Sequence, residues 1–225
     1  MVNEVLQDES ITEIKNYAFY NCTQLEGELV IPNNITSIGN YVFGNCVFDK
    51  IVIEDTSKIK GSLNSFGCKT KELHIDSVQN LFDSGIWSYG GYDNLAYTIY
   101  VNDSPVYEIN LKYNGITTIL GKVFKCSTIK KAIINEGFTD IAVECFYGCA
   151  NLKFIDLPNT ITNVSGTSIY ANGVLICRAI IPPTVGNITV QTIYVPDESV
   201  EDYKVASGWS TYASKIKPLS EYVES

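Results

Sequence analysis

One stretch of the sequence decides the fold: Phe146-Tyr-Gly-Cys149-Ala-Asn-Leu152-Lys-Phe-Ile155-Asp-Leu157-Pro158. Its phenylalanine, followed two or three residues later by a cysteine, recurs along the chain as Phe19/Cys22, Phe43/Cys46, Phe66/Cys68 and Phe124/Cys126. The cysteines at 22, 46 and 68 are 24 and 22 residues apart, and those at 126 and 149 are 23 residues apart. The chain is therefore a series of repeats of nearly constant length.

A short run with alternating apolar residues follows each of these cysteines. Examples are Leu29-Val-Ile31, Ile51-Val-Ile53, Leu73-His-Ile75, Ala132-Ile-Ile134 and Ile155-Asp-Leu157. Alternation of this length predicts one β-strand per repeat. A turn rich in Pro and Asn comes next, and then a second apolar pair such as Ile161 and Val164. Because one repeat cannot bury both apolar faces alone, the repeats must stack around a shared core, as in a leucine-rich-repeat solenoid.

The repeats resemble the BspA-type leucine-rich repeat, also called the Treponema pallidum type. The resemblance rests on an Ile-Thr-Ser-Ile-Gly start, a phenylalanine, a cysteine, a leucine and an Ile-x-Ile-Pro end, most complete from Ile35 to Ile53 and from Phe146 to Val164. It covers nearly the whole chain. Repeats of this type occur on surface proteins of gut and oral bacteria and of trichomonads, so the resemblance implies a surface protein with an interaction function.

The predicted fold is a mainly β repeat solenoid, a right-handed leucine-rich-repeat coil with one short strand per 22–24-residue turn and a small helical C-terminal cap. We expect residues 1–10 to be an edge or the stub of an earlier repeat, 11–195 to be the solenoid and 196–225 to be the cap. Residues 78–102 form an irregular linking repeat with many aromatic residues among glycines. These aromatic residues either fill the core or belong to a ligand-binding insertion.

The cap begins with a pattern typical of a helix N-terminus. Ser199 and Asp202 have the spacing of a capping box, and Gly208 is placed to end the helix. We expect Trp209, Tyr212 and Ile216 to fold over the last repeat, because a solenoid needs a closing segment.

Composition excludes several classes of function. Among 225 residues, 45% are hydrophobic and 18% are charged, which indicates an ordered chain. The formal net charge of -9 argues against nucleic acid or an anionic membrane as partner. No apolar run reaches the length of about 18 residues that a membrane span needs, and Met1-Val-Asn-Glu-Val is unlike a signal peptide. An export signal is therefore expected upstream or already removed.

No catalytic or metal-binding constellation can be assembled. The only histidine, His74, lies between Leu73 and Ile75 in a predicted strand. We expect no enzymatic activity, no cofactor and no metal. The seven cysteines fall mostly in an apolar slot of the repeat, which favours buried free thiols over disulfides. Cys145, one residue before Phe146, is out of this register and is predicted to be the most exposed.

Two rows of side chains on the predicted strands point outward. The first row is Val30, Val52, His74, Tyr100, Asn110, Ile133, Asp156, Ile176 and Tyr194; the second is Lys50, Glu72, Thr98, Glu108, Lys131, Phe154 and Thr192. Nine stacked strands would give a face roughly 40 Å long, enough for a macromolecular partner. Because aromatic residues are common at binding hot spots, we predict the binding residues to be His74, Tyr100, Phe154 and Tyr194. The aliphatic residues in these rows are equally explained by strand propensity.

Three functions are consistent with these features. The first is a non-enzymatic, adhesin-like module, monomeric and on the cell surface or secreted, that binds a host or bacterial protein through the strand face. The second is a carbohydrate-binding surface protein. The third is a passive stalk within a longer chain. Neither nucleic acid nor membrane insertion is expected.

Overall fold

Short strands that pair in parallel make up most of the structure. A computed structural model describes residues 2–61, 66–85, 98–119, 121 and 128–224. The internal contacts divide the chain into unit 1, Met1–Val106, and unit 2, Tyr107–Ser225.

Unit 1 begins with a one-turn helix and continues with strands and a second helix. Its elements are α1 (Val2–Leu6), β1 (Glu13–Ile14), β2 (Glu28–Ile31), β3 (Ser37–Ile38), β4 (Val47–Ile53), β5 (Lys60–Gly61), β6 (Lys69–Ile75), α2 (Val78–Ser84), β7 (Thr98–Val101) and β8 (Ser104–Pro105). Strands β2, β4, β6 and β7 pair in parallel, and β8 pairs antiparallel to β7. A second parallel sheet has the order β1-β3-β5.

The inward side chains of the larger sheet form the core of unit 1. Leu29, Ile51, Leu73 and Ile99 lie in register and are completely buried. Full burial of an aliphatic side chain contributes roughly 1.5–3 kcal/mol. The repeat phenylalanines stack behind them, with ring centroids 5.3 Å apart for Phe19–Phe43 and 5.8 Å for Phe43–Phe66. The alternation in the sequence is thus the alternation between core and surface.

Helix α2 interrupts the repeats and was not predicted from the sequence. The Ser77 side chain accepts a hydrogen bond from Asn80 N at its start, and Gly85 ends it with a φ of 67°. The aromatic-rich stretch that follows, with Trp87, Tyr89, Tyr92 and Tyr97, lies outside the described residues, so the two interpretations of that stretch stay open.

Unit 2 repeats the same arrangement and ends in the cap. Its elements are β9 (Glu108–Leu111), β10 (Thr118–Ile119), β11 (Lys131–Ile134), β12 (Asp140–Ile141), β13 (Phe154–Leu157), β14 (Asn163–Val164), β15 (Val174–Cys177), β16 (Thr184–Val185), β17 (Thr192–Val195), α3 (Val200–Val205) and β18 (Ile216–Pro218). One parallel sheet has the order β18-β17-β15-β13-β11-β9, and the other has the order β10-β12-β14-β16. The strands predicted from the alternation are confirmed, and the second apolar pairs form the smaller sheets.

The cap closes the last repeat, but not through the predicted capping box. The chain enters α3 through a 3-10 turn, Asp197–Ser199, which leaves Ser199 without the extended backbone of a capping residue. Its hydroxyl donates instead to Ile180 O at 2.8 Å. The helix ends at Val205, and Gly208, with a φ of 84°, precedes the next 3-10 segment. Both parts of the capping prediction are therefore wrong.

The aromatic residues of the cap do fold over the last repeat, as expected. Trp209 is fully buried and donates its indole N–H to Pro183 O at 2.7 Å. Tyr203 packs against it with ring centroids 4.9 Å apart, and the Tyr212 hydroxyl accepts from Ile188 N. Ile216 continues the sheet as the first residue of β18, in register with Ile193 of β17.

The cysteines of the described residues are free thiols, which confirms that prediction for all but Cys126, which lies outside the described part. The prediction for Cys145 is wrong: it is completely buried, and burial raises the pKa of its thiol. The equivalent residue of an earlier repeat, Val42, is also completely buried. The position before the repeat phenylalanine therefore faces the core.

The structure thus shows a strand-rich repeat fold in each unit. The right-handed coil and the boundaries of the predicted regions 1–10, 11–195 and 196–225 stay predictions.

Candidate interaction surface

In unit 1 the outward residues of the larger sheet form the two predicted rows. Val30, Val52, His74 and Tyr100 lie in register across β2, β4, β6 and β7. Lys50, Glu72 and Thr98 form the second row. The side chains alternate with core residues along each strand, so these rows lie on the outer face.

His74 and Tyr100 form a stacked pair at the end of the first row. Their ring centroids are 4.4 Å apart and the ring planes differ by 11°. Two carboxylates flank the histidine: Glu72 Oε2 lies 3.2 Å from Nε2, and Asp103 Oδ1 lies 3.3 Å from Nδ1. A neutral imidazole can donate to only one of them, whereas an imidazolium can donate to both.

The hairpin after β7 brings the second carboxylate to this site. Asn102 and Asp103 have φ angles of 50° and 56°, so the chain turns back at once and β8 pairs with β7. The Asp103 side chain is 93% exposed, whereas that of His74 is only 15% exposed. Glu72 was placed in the second row by the sequence, but Asp103 was missed. An Asn-Asp pair two residues after Tyr100 was the signal that could have revealed it.

The arrangement suits a cationic group of a partner. Two carboxylates lie beside an aromatic pair, and cations bind both to carboxylates and to the faces of aromatic rings. We name the residues Glu72, His74, Tyr100 and Asp103 the unit 1 surface.

In unit 2 the two rows are again in register. The first row is Asn110, Ile133, Asp156, Ile176 and Tyr194, and the second is Glu108, Lys131, Phe154, Val174 and Thr192. Asp156 also forms a bidentate pair with Arg178, with both N–O distances 2.7 Å, and this hydrogen bonding raises the pKa of Arg178.

The C-terminal residues after β18 lie over these rows. Tyr222 packs between Phe154 and Tyr194, with ring centroids 5.8 Å and 5.2 Å away. Glu224 accepts a hydrogen bond from Lys131 Nζ at 3.1 Å, which raises the pKa of Lys131, and burial raises the pKa of the Tyr222 hydroxyl. We name residues Leu219–Glu224 the tail.

Ile176 shows how closely the tail covers the face. It lies on β15, between the strands that carry Phe154 and Tyr194, and it is only 1% exposed. We expected it to point outward and to be exposed; it does lie in the outward row, but the expectation of exposure is wrong. Because Tyr222 contacts the rings on both sides of β15, the tail is the cover. The sequence gave no sign of this, since the tail has no counterpart in the repeats.

A family model for the BspA type leucine rich repeat region matches residues 2–89 and 95–194 in six copies. The chain belongs to the BspA-type leucine-rich-repeat family. Members of this family are often surface or secreted bacterial proteins that take part in interactions, and the repeat is generally a non-enzymatic protein-interaction module. A search of the curated proteins found no match.

Two further findings concern the part of this BspA-type protein that the structure describes. There, no three or more His, Cys, Asp or Glu residues come together as a metal site. Nor does any helix in the same residues have the length and apolar character to cross a membrane. Of the four predicted binding residues, His74 and Tyr100 contact each other in unit 1, while Phe154 and Tyr194 both contact Tyr222 in unit 2.

Proposed function

We propose that this chain is a non-enzymatic, adhesin-like module, displayed on the cell surface or secreted, that binds a protein through the unit 1 surface. The observation that carries the proposal is the stacked His74–Tyr100 pair between the carboxylates of Glu72 and Asp103. Family membership supports an interaction role in general.

The chemistry of this surface favours a basic segment of the partner. A lysine or arginine side chain can pair with Asp103 while its apolar stem lies on the aromatic pair. The chain as a whole carries a net charge of -9, which would attract a basic partner over a longer range. A host matrix protein or another cell-surface protein with such a segment is the proposed ligand, bound by a monomeric, right-handed solenoid.

The test is binding to a panel of extracellular matrix proteins and mucins by surface-based interferometry. We expect the His74→Ala/Tyr100→Ala double variant to lose at least about tenfold in affinity, as residues at interface hot spots do. Asp103→Asn should weaken the same complex and flatten its salt dependence. Tyr170→Ala is the matched control, because Tyr170 is an exposed tyrosine of unit 2.

Equal affinity of the double variant and the wild-type protein would move the site away from the unit 1 surface. Silence across the panel would favour the passive stalk. Binding through Phe154 and Tyr194 stays a prediction, and a partner there must bind beside Tyr222 or displace it.

A further inference from the structure

Tyrosine side chains from two consecutive Phe-x-x-Cys turns of unit 1 form a cluster that the interaction surface does not include. Tyr17 and Tyr41 occupy the same position in the two repeats, and their rings stack with centroids 5.8 Å apart and an interplanar angle of 14°. Tyr20 meets Tyr17 edge-on at 5.5 Å. Tyr17 and Tyr20 are 56% and 41% exposed, so ring surface in this cluster faces solvent.

Asparagine amides lie beside these rings. Asn45 Nδ2 donates to Asn21 Oδ1 at 2.6 Å and to the Tyr20 hydroxyl at 3.3 Å. Both asparagines are exposed, and an amide has more donors and acceptors than these two bonds use. We name Tyr17, Tyr20, Asn21, Tyr41 and Asn45 the tyrosine–asparagine patch.

The backbone holds the patch in an unusual conformation. Tyr17 and Tyr41 have φ angles of 59° and 50°, in the left-handed region that bulky residues rarely adopt. Asn21 and Asn45 have similar angles, but asparagine tolerates them. A strained residue persists only where its surroundings fix it, and such residues concentrate at functional sites.

Gly44 provides the seat for the Tyr20 ring. A Cβ atom at Gly44 would lie 2.4 Å from Tyr20 Cδ2, so the ring rests on the glycine backbone and any side chain there would push it away. The orientation of Tyr20 is thus set by the next repeat along the chain.

The cluster is not a requirement of the fold, because unit 2 makes the same turn without it. Glu144, with a φ of 59°, takes the place of Tyr17 and Tyr41, and Gly148 takes that of Asn21 and Asn45. Tyr147 corresponds to Tyr20 and is equally exposed, at 41%, but no ring contact of Tyr147 exists among the described residues.

We propose that the tyrosine–asparagine patch binds a neutral oligosaccharide. The face of a tyrosine ring is electron-rich, and it attracts the weakly positive C–H groups on the face of a pyranose ring. Amides and phenol hydroxyls both donate and accept, which matches sugar hydroxyls. None of the five side chains carries a charge, so the patch offers nothing specific to an acidic sugar or to a charged peptide.

The test is titration of the whole chain with neutral trisaccharides, followed by calorimetry and saturation-transfer NMR. The probes are maltotriose, cellotriose, laminaritriose, mannotriose, chitotriose and xylotriose, with 3′-sialyllactose as an acidic probe. We expect at least one neutral probe to bind with a dissociation constant on the order of micromolar to millimolar.

Three variants locate the site. Tyr17→Asn removes the stacked ring but keeps a residue that tolerates the left-handed backbone, so the fold is preserved. Gly44→Ala leaves all five residues of the patch in place and displaces only the Tyr20 ring. Both should weaken binding of the neutral probe at least about tenfold. Tyr147→Ala, at the equivalent position of unit 2, should leave it unchanged.

Binding that survives in both Tyr17→Asn and Gly44→Ala would overturn the proposal, and so would a complete lack of binding by the neutral probes. Preference for 3′-sialyllactose would overturn the neutral class of ligand. The His74→Ala/Tyr100→Ala variant should bind the neutral trisaccharide as the wild-type protein does. The two sites can therefore fail or succeed independently of each other.

Discussion

The two units present the same kind of sheet face in different states. In unit 1 the rows of β2 to β7 carry a stacked His74–Tyr100 pair and two carboxylates at the surface. In unit 2 the tail lies across the rows, and Ile176 is buried beneath it. The repeat fixes where outward residues lie, but it does not fix whether they meet solvent. Accessibility is decided by segments that do not belong to the repeat.

The largest expected difference between the faces is in stability. Ile176→Ala should reduce the free energy of unfolding by about 3 kcal/mol, since it removes a fully buried side chain and leaves a cavity. Val52→Ala, in the corresponding row of unit 1 and half-buried, should cost only about 1 kcal/mol. Urea unfolding of both variants measures the two values. Equal losses would show that Ile176 is no better covered than Val52.

Removal of the tail should reveal the second face. Deletion of residues 219–225 exposes Ile176 and removes the contacts of Tyr222 with two rings, but it also releases a segment that folding must otherwise order. The balance should be a loss of about 2 kcal/mol in unit 2. Hydrogen exchange followed by mass spectrometry should show faster exchange in β15 and β17 and unchanged exchange in β4 and β6. Unchanged exchange throughout would mean that the tail does not cover the sheet.

The strained turns of unit 1 allow a smaller and more specific test. Tyr17→Asn should be more stable than Tyr17→Ala by about 1 kcal/mol, because both lose the ring but only asparagine suits a φ of 59°. At Tyr20, which is not among the residues with positive φ, the same two substitutions should differ little. Thermal unfolding provides the comparison. The reverse order at position 17 would show that the backbone there is not held left-handed.

The smallest effect is expected at the open face itself. His74→Ala should cost less than about 1 kcal/mol, since the stacked pair lies at the surface and its loss leaves no cavity. Chemical denaturation checks this value, with Ile176→Ala as the reference for a covered position. A loss as large as that of Ile176→Ala would mean that His74 is a structural residue and not an available contact.

The strands and their registers could be predicted because they follow local rules. Alternation places Leu29 and Ile31 inward, and the constant repeat length brings each strand beside its equivalent. The buried position of Cys145 was also in the sequence, since Val42 occupies the same place, but a single comparison with the cysteine register misled. The capping-box prediction failed because a 3-10 turn precedes Ser199, and no local pattern announces that turn.

The site was only partly predictable for the same reason. His74 and Tyr100 were found because they are neighbours along a row that the repeat length determines. Asp103 reaches them through a hairpin, and Tyr222 reaches unit 2's rows from the end of the chain. Contacts between residues so far apart in sequence depend on the path of the whole chain, which no periodicity encodes. The tyrosine–asparagine patch was missed because its rings stack across turns and not across strands.

The tail is an intramolecular ligand of the sheet it covers, and this sets a threshold for anything else that binds there. A short tether keeps a bound segment at an effective concentration on the order of millimolar, however dilute the protein is. A soluble competitor for the rows around Phe154 and Tyr194 must exceed that advantage. Its apparent affinity will therefore be weaker than its intrinsic affinity by the fraction of molecules in which the tail is released.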